Sequence, residues 1–220
     1  MTAHHEEIEI KLRVPDAAAL RSRLKRLRAR EITPRTYESN TLFDTPEQYL
    51  RRRGKLIRIR VEILSANLSK KRPSENTPAL LTYKGPSHLS RSAHKAAKNS
   101  RTRSHFKIKD EAEVRIADAP EMARILQSLG FHPAFRYEKF RTTYTLPGMR
   151  GLKIELDETP VGTYLELEGP VAAIDRCARL LGYARRDYLN ENYGSLYLAE
   201  CRRLGRKPGH MLFPPTKKSR

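Results

Sequence analysis

The chain has 220 residues, 38% hydrophobic and 31% charged, with 44 Lys and Arg against 25 Asp and Glu and a formal net charge of +19. That length suits one large domain or two small ones, and no apolar run approaches the roughly 20 residues of a membrane span. Met1 to Glu6 lacks the apolar segment of a signal peptide, and Cys177 and Cys201 offer neither a metal-ligand spacing nor a disulfide framework, so the expectation is a cytoplasmic protein with no membrane partner.

The first element in chain order is Glu7-Ile8-Glu9-Ile10-Lys11, whose alternation predicts a strand with Glu7, Glu9 and Lys11 on one face and Ile8, Ile10 and Leu12 on the other. Like charges that close repel unless a cation or water offsets them. Pro15-Asp16 opens a helix with Asp16 as N-cap and Ala19, Leu20, Leu24 and Leu27 as its apolar stripe. Residues 35–45 read as a second strand closed by Pro46, and Gln48 to Arg53 as a short helix or turn. Lys55 to Leu64 alternates Ile57, Ile59 and Val61 with Arg58, Arg60 and Glu62. Leu80 to Lys84 is a short strand with Thr82 and Lys84 on one face, stopped by Gly85-Pro86.

Residues 65–110 carry 11 Lys and Arg against two acids, most of them in two loops, and His88 to Ser104 reads as a mobile basic loop. In Phe106 to Ile116, Lys107, Lys109, Glu111, Glu113 and Arg115 share one parity and Ile108, Ala112, Val114 and Ile116 the other. A helix from Asp118 to Leu129 ends at Gly130. Phe135 to Leu146 places Lys139, Arg141 and Thr143 together, Leu152 to Asp157 places Lys153, Glu155 and Asp157 together, and Tyr164 to Glu168 does so for Glu166 and Glu168. Helices follow from Val171 to Leu181 and from about Asn190 to Leu204, with Tyr188, Tyr193 and Tyr197 read as packing residues. The tail from Gly205 to Arg220 has no periodicity and reads as disordered.

Eight strand-like segments with helices between them predict an α+β fold. The charged faces either look outward from an open sheet or line the inside of a closed eight-stranded antiparallel barrel, with helices packed outside, whose interior holds one small ligand. In the second case Glu7, Glu9, Glu111, Glu113, Asp157, Glu166 and Glu168 are hard oxygen ligands suited to Mg²⁺ or Mn²⁺. Lys11, Arg58, Arg60, Lys84, Lys109, Lys139 and Arg141 suit phosphate oxygens. Together they match a metal-bound polyphosphate, held without a glycine-rich loop.

Glu7-x-Glu9-x-Lys11 resembles the defining motif of the CYTH superfamily, the triphosphate tunnel metalloenzymes. The resemblance continues through Arg58-x-Arg60, Thr82-Tyr83-Lys84-Gly85-Pro86, Lys107-x-Lys109-x-Glu111-x-Glu113, Glu138-Lys139-x-Arg141, Glu155-x-Asp157 and Glu166-x-Glu168, over residues 5–200. It implies an eight-stranded tunnel that binds a triphosphate with a divalent metal. Leu129 to Phe135 and the Lys84-Gly85-Pro86 turn look most like the class IV adenylyl cyclases, which convert ATP to cyclic AMP and pyrophosphate; other branches hydrolyse thiamine triphosphate or inorganic tripolyphosphate. The expected organisation is a tunnel domain over residues 1–204, including the basic loop 87–104, followed by the tail 205–220, with a homodimer as the expected assembly. A non-catalytic RNA- or polyphosphate-binding module is the rival reading, and the basic loop and tail supply weak nucleic-acid affinity in either case. The 14 acids against 11 bases in residues 111–201 weigh against that rival.

Overall fold

The computed structural model describes residues 5–68, 79–87 and 106–214. The predicted basic loop lies almost wholly outside the described residues. Eight strands, β1 His5–Arg13, β2 Arg30–Asp44, β3 Leu56–Leu64, β4 Ala79–Lys84, β5 Lys107–Ile116, β6 His132–Thr145, β7 Lys153–Thr159 and β8 Gly162–Glu168, close into one antiparallel barrel in the order β1-β5-β4-β3-β2-β6-β7-β8. The closed alternative is therefore the observed one, and every strand has a neighbour on each side.

Strand β2 begins five residues before the predicted segment. Arg30 and Glu31 pair with Thr145 and Tyr144, and the register then shifts between Glu31 and Thr36. Pro34, which has no N–H to give to a ladder, is accommodated in that irregular stretch. The long β2–β6 ribbon forms one wall of the barrel.

Helices α1 Ala17–Arg26, α2 Tyr49–Arg52, α3 Ala119–Ser128, α4 Val171–Leu180 and α5 Tyr193–Arg203 surround the barrel. Three are capped as side-chain chemistry dictates. The carboxylate of Asp16 accepts from the amides of Ala18 and Ala19 at 2.8 and 3.0 Å, Asp118 accepts from Glu121 at 2.8 Å, and Asn192 accepts from Ser195 at 2.9 Å. Helices α1 and α4 cover the outer faces of β1, β7 and β8, where Ile10, Leu12, Leu24, Ile154, Leu165, Leu167, Ile174 and Cys177 form the main core. Burying each large aliphatic side chain there contributes about 1.5–3 kcal/mol. Helix α3 covers a smaller cluster around Phe43, Ile59, Ala79 and Leu126. The apolar core thus lies outside the barrel, which frees the inside for charge.

Gly169, between β8 and α4, has φ +144°, and a Cβ there would meet the Gly151 carbonyl oxygen at 2.5 Å. Only glycine permits that backbone approach. Both cysteines are buried and unpaired, and burial pushes the Cys177 thiol up to about 12. Among the described residues no helix is long and apolar enough to cross a membrane.

The tail departs from its predicted disorder as far as residue 214. Met211 is 1% exposed among Tyr137, Tyr164 and Tyr193, and forms a parallel bridge with Tyr137. Its amide donates to the Arg136 carbonyl at 3.0 Å and its carbonyl accepts from the Glu138 amide at 2.9 Å. Phe213 packs on Phe140 with ring centroids 5.2 Å apart. The tail fills the edge of β6 that β7 leaves free, since β7 pairs β6 only from Phe140 onward.

Candidate functional site

The barrel registers put every predicted site residue on the lumen face. Arg58 stands opposite Thr82, which stands opposite Glu113, and Lys84 stands opposite Glu111. Lys109 and Lys107 face Glu7 and Glu9, Lys11 faces Glu166, and Arg141 faces Asp157. Because side chains alternate, one in-register pair fixes the face of the whole strand.

Deep in the lumen these groups form a continuous ionic chain. Lys11 Nζ donates to Glu166 Oε1 at 2.5 Å. Arg141 is the hub: its Nε and Nη2 donate to the two oxygens of Asp157 at 2.6 Å each, and it also bridges Glu155 and Glu166 and lies 3.6 Å from Glu38. Lys139 donates to Asp157 at 2.9 Å and lies 3.4 Å from Glu38, which in turn lies 3.4 Å from Arg60. Tyr193, at the start of α5, donates its hydroxyl to Asp157 at 2.5 Å, and its ring lies under Lys11 Nζ at 4.4 Å. Arg58 donates to Tyr137 and Thr82 at 3.2 Å each, and Thr82 donates to Glu113 at 2.8 Å.

A second group lies on the β1, β4 and β5 walls. Lys84 bridges Glu7 and lies 3.3 Å from Glu111, and Lys107 donates to Glu9 at 2.6 Å. Lys109 reaches the Gly54 carbonyl at 3.2 Å, and Lys153 pairs with Glu168 at 2.9 Å where Lys153 is half exposed.

The electrostatics follow from burial. Glu7 is pushed up to about 7, by desolvation first and by its neighbours Glu9 and Glu111, against the pull of Lys84. Glu155 is also pushed up to about 7 by desolvation, with Glu166 and Asp157 adding to it against Arg141. For Glu9 the surrounding cations, Lys107 foremost, outweigh its desolvation and hold it down at about 2. Glu38 and Glu166 likewise lie below the usual carboxylate range despite burial, through Arg60 and Lys139 for the first and Lys11 and Arg141 for the second. Lys109 falls to about 8, by desolvation and then by Lys107 and Lys84.

For a divalent ion the donor chemistry fits. Glu7, Glu9 and Glu111 are carboxylates sharing one wall, and Glu7 is pushed up by desolvation first and then by Glu9 and Glu111, a repulsion that a bound cation relieves. With the side chains as they stand, no three acids among the described residues surround one point, because each is engaged by a lysine or arginine. Asp157 is 0% exposed, and its oxygens already accept from Lys139, Arg141 and Tyr193, so its geometry is that of an anchor for the cations.

Pattern reading missed Glu38, Asn40, Glu155, Lys107, Tyr137 and Tyr193 as members of the site. Glu38 and Asn40 share a parity on β2, but their neighbours Tyr37, Ser39 and Thr41 are not aliphatic, so no alternation marks the face. Glu155 and Lys107 keep the parity of their strands, which is the signal that finds them. Tyr193 comes from a helix, and nothing in its spacing points into the lumen.

The fold is a closed antiparallel tunnel whose barrel wall is apolar on its outer face and ion-paired on its inner face. Residues 5–186 match the CYTH domain, and the chain belongs to that family. It is 26% identical over 176 residues, 80% of this chain and 83% of the other, to a Methanocaldococcus jannaschii protein provisionally named adenylate cyclase. A Vibrio parahaemolyticus structure, also provisionally named adenylate cyclase, superposes with a TM-score of 0.65 at 17% identity, covering 86% of this chain and 96% of that one. A Hippeastrum protein, provisionally an adenylyl cyclase and described as having a dominant triphosphatase activity, gives 0.55 at 20% identity over 92% of this chain and 97% of that one.

Proposed function

We propose that the tunnel binds a triphosphate with Mg²⁺ or Mn²⁺ and converts ATP to cyclic AMP and pyrophosphate. The observation that supports it is the single enclosed face carrying Lys11, Arg58, Arg60, Lys84, Lys139 and Arg141 interleaved with carboxylates. Arginine contributes bidentate donation and lysine compact charge to phosphate oxygens. Arg60 and Arg141 are pre-aimed by Glu38 and Asp157, so they lose little freedom when a phosphate replaces those partners. Glu7, Glu9, Glu111, Glu166 and Glu168 would hold the divalent ion, with Glu113 at the half-exposed edge. When bound, the ion neutralises phosphate charge as it develops at the attacked phosphorus.

In cyclisation the ribose 3′-oxygen forms a bond to the α-phosphorus, the bond from that phosphorus to the bridging oxygen of pyrophosphate breaks, and the 3′ proton departs to an acceptor. The lumen's part is to fix the β- and γ-phosphates so that this geometry is reached, and to neutralise the leaving pyrophosphate. The provisional name of the M. jannaschii relative favours the cyclase branch. A triphosphatase uses the same grips and differs in directing water at the terminal phosphorus. Incubation with ATP, inorganic tripolyphosphate and thiamine triphosphate, each with Mg²⁺ or Mn²⁺, tests the reading by product. Cyclic AMP with pyrophosphate is expected; orthophosphate release would replace the cyclase by the hydrolase. No turnover of any of the three would refute both.

A further inference from the structure

Helices α3, α4 and α5 end alike. A C-cap leucine is followed by Gly130, Gly182 or Gly205, at φ +85°, +85° and +63°, and the next amide closes back onto the helix. Helix α1 makes the same closure, with the Ala29 amide donating to the Leu24 carbonyl at 2.9 Å, but its left-handed residue is Arg28, at φ +56°. Glycine is favoured there because a Cβ crowds the backbone. The helix dipole favours a cation at a C-terminus, yet the last turn of α1 already carries Arg23, Lys25 and Arg26, and one more like charge beside them repels. The local fold therefore gives no reason for an arginine at this position.

Arg28 belongs to a cationic face. Arg30 follows at the start of β2 and lines a cavity of about 440 Å³ together with Arg150 of the β6–β7 turn. Arg23 Nε donates to the Leu180 carbonyl at 2.9 Å, which joins α1 to the end of α4, where Arg179 stands in the last turn. Lys25, Arg26, Arg28, Arg30, Arg150 and Arg179 are all exposed, and among the described residues none of them forms a salt bridge. Other exterior arginines do: Arg21 and Arg35 share Glu158, Arg124 pairs with Glu121 and Arg203 with Glu200. The neighbouring acids are turned elsewhere. Asp175 is held by Arg185, Asp187 accepts from the Ala184 amide at 2.7 Å, and Glu31 takes the opposite face of β2 from Arg30.

A single exposed charge contributes little against a small anion. Along a polymer the contributions accumulate, because each phosphate neutralised releases a condensed counterion. All of the six but Lys25 are arginines, whose planar guanidinium donates in pairs to phosphate oxygens, whereas an anionic lipid surface attracts lysine and arginine alike. We propose that this face, centred on Arg28, is a docking surface for the phosphate backbone of a nucleic acid, bound without regard to base sequence. It is separate from the lumen cations and does not rest on the triphosphate reading.

The test is the affinity of the full chain for a labelled RNA duplex with free hydroxyl ends, measured by fluorescence anisotropy over a series of salt concentrations. Arg28→Gly is expected to weaken binding about 5- to 10-fold near 0.1 M salt and to reduce the slope of log affinity against log salt by ~1. Its melting temperature should equal or exceed that of wild type, so the loss is not one of folding. Arg26→Gln/Arg150→Gln should reduce the slope by ~2 and decides the matter if Arg28→Gly does not fold. Lys84→Met in the lumen should leave RNA affinity within about twofold, and tripolyphosphate at matched ionic strength should not displace the duplex. Wild type that does not bind the duplex, or folded variants of both kinds that bind within twofold of wild type, would overturn the inference. So would loss of RNA binding in Lys84→Met or displacement by tripolyphosphate, which would put the duplex at the tunnel. Variants that lose binding to anionic phospholipid vesicles and keep it for RNA would overturn it in favour of a membrane surface. None of these outcomes bears on tripolyphosphate binding by wild type, which tests the tunnel reading separately.

Discussion

Replacing Arg141 by leucine removes the hub of the lumen network. The wild-type guanidinium pairs with Asp157, Glu155 and Glu166 and lies near Glu38, all of them shielded from water. Deleting one partner of a buried ion pair costs about 3–5 kcal/mol, because the other charge is left in a poor solvent. Here several carboxylates lose a partner and keep only Lys11, Lys139 and Arg60, so the upper end of that range applies. Domain stability is commonly about 5–15 kcal/mol, which makes this a large fraction of the whole. The pH dependence gives the sharper signature. Glu155 already sits at about 7, above the ordinary 4.5, so the folded state holds its proton more tightly than the unfolded chain does. Stability from such a group is present below pH 4.5 and is lost as pH rises through the folded value. Loss of Arg141 removes a cation that lowers Glu155, which extends this loss upward in pH. Urea denaturation at pH 5 and pH 8 therefore finds Arg141→Leu destabilised more at pH 8 than at pH 5. A deficit under about 1 kcal/mol at pH 8, or one that grows on acidification, would refute the account of the hub.

The wild-type protein without metal should lose stability between pH 5 and 8 through Glu7 and Glu155, both at about 7, and millimolar Mg²⁺ should flatten that slope; an unaltered slope argues against ion binding at the carboxylates. Tyr193→Phe removes the hydroxyl that donates to Asp157 and is expected to cost about 1.5–3 kcal/mol in a denaturant melt, with the α5 helix still formed by circular dichroism. Met211→Ala should lower stability by about 2–5 kcal/mol, or several degrees in the melting temperature, whereas a disordered tail predicts no change. Gly169→Ala places a Cβ against the Gly151 carbonyl at 2.5 Å and should reduce soluble yield or melting temperature sharply, while Gly205→Ala, with nothing within 4 Å, should do far less.

The strands were legible because most of them alternate aliphatic with charged residues, and that period reports a face without reporting which way the face looks. Repetition over six strands raised the question of enclosure, and the closed order β1-β5-β4-β3-β2-β6-β7-β8 answers it. That order brings His5–Arg13 beside Lys107–Ile116, a pairing that no local signal carries. The site was legible where the alternation was clean. Glu38 and Asn40 stayed hidden because β2 presents Tyr37, Ser39 and Thr41 outward, and a sequence shows the charge of Asp157 but not the three donors its oxygens accept from. The tail misled for a similar reason. Its composition is that of a disordered segment, but Met211 and Phe213 are two apolar side chains that a free β6 edge can dock.

The central claim is that triphosphate is held inside the tunnel by lumen cations, as opposed to the basic exterior. Calorimetric titration of inorganic tripolyphosphate in Mg²⁺ tests it directly, comparing wild type with Lys84→Met in the lumen and with Arg23→Gln/Arg26→Gln on the outer face of α1. The account predicts binding weakened at least ~10-fold by Lys84→Met and left within about twofold by the outer pair, since screened exterior charges contribute little. Full-strength binding in Lys84→Met together with loss in the outer variant would place the ligand on the surface and contradict it.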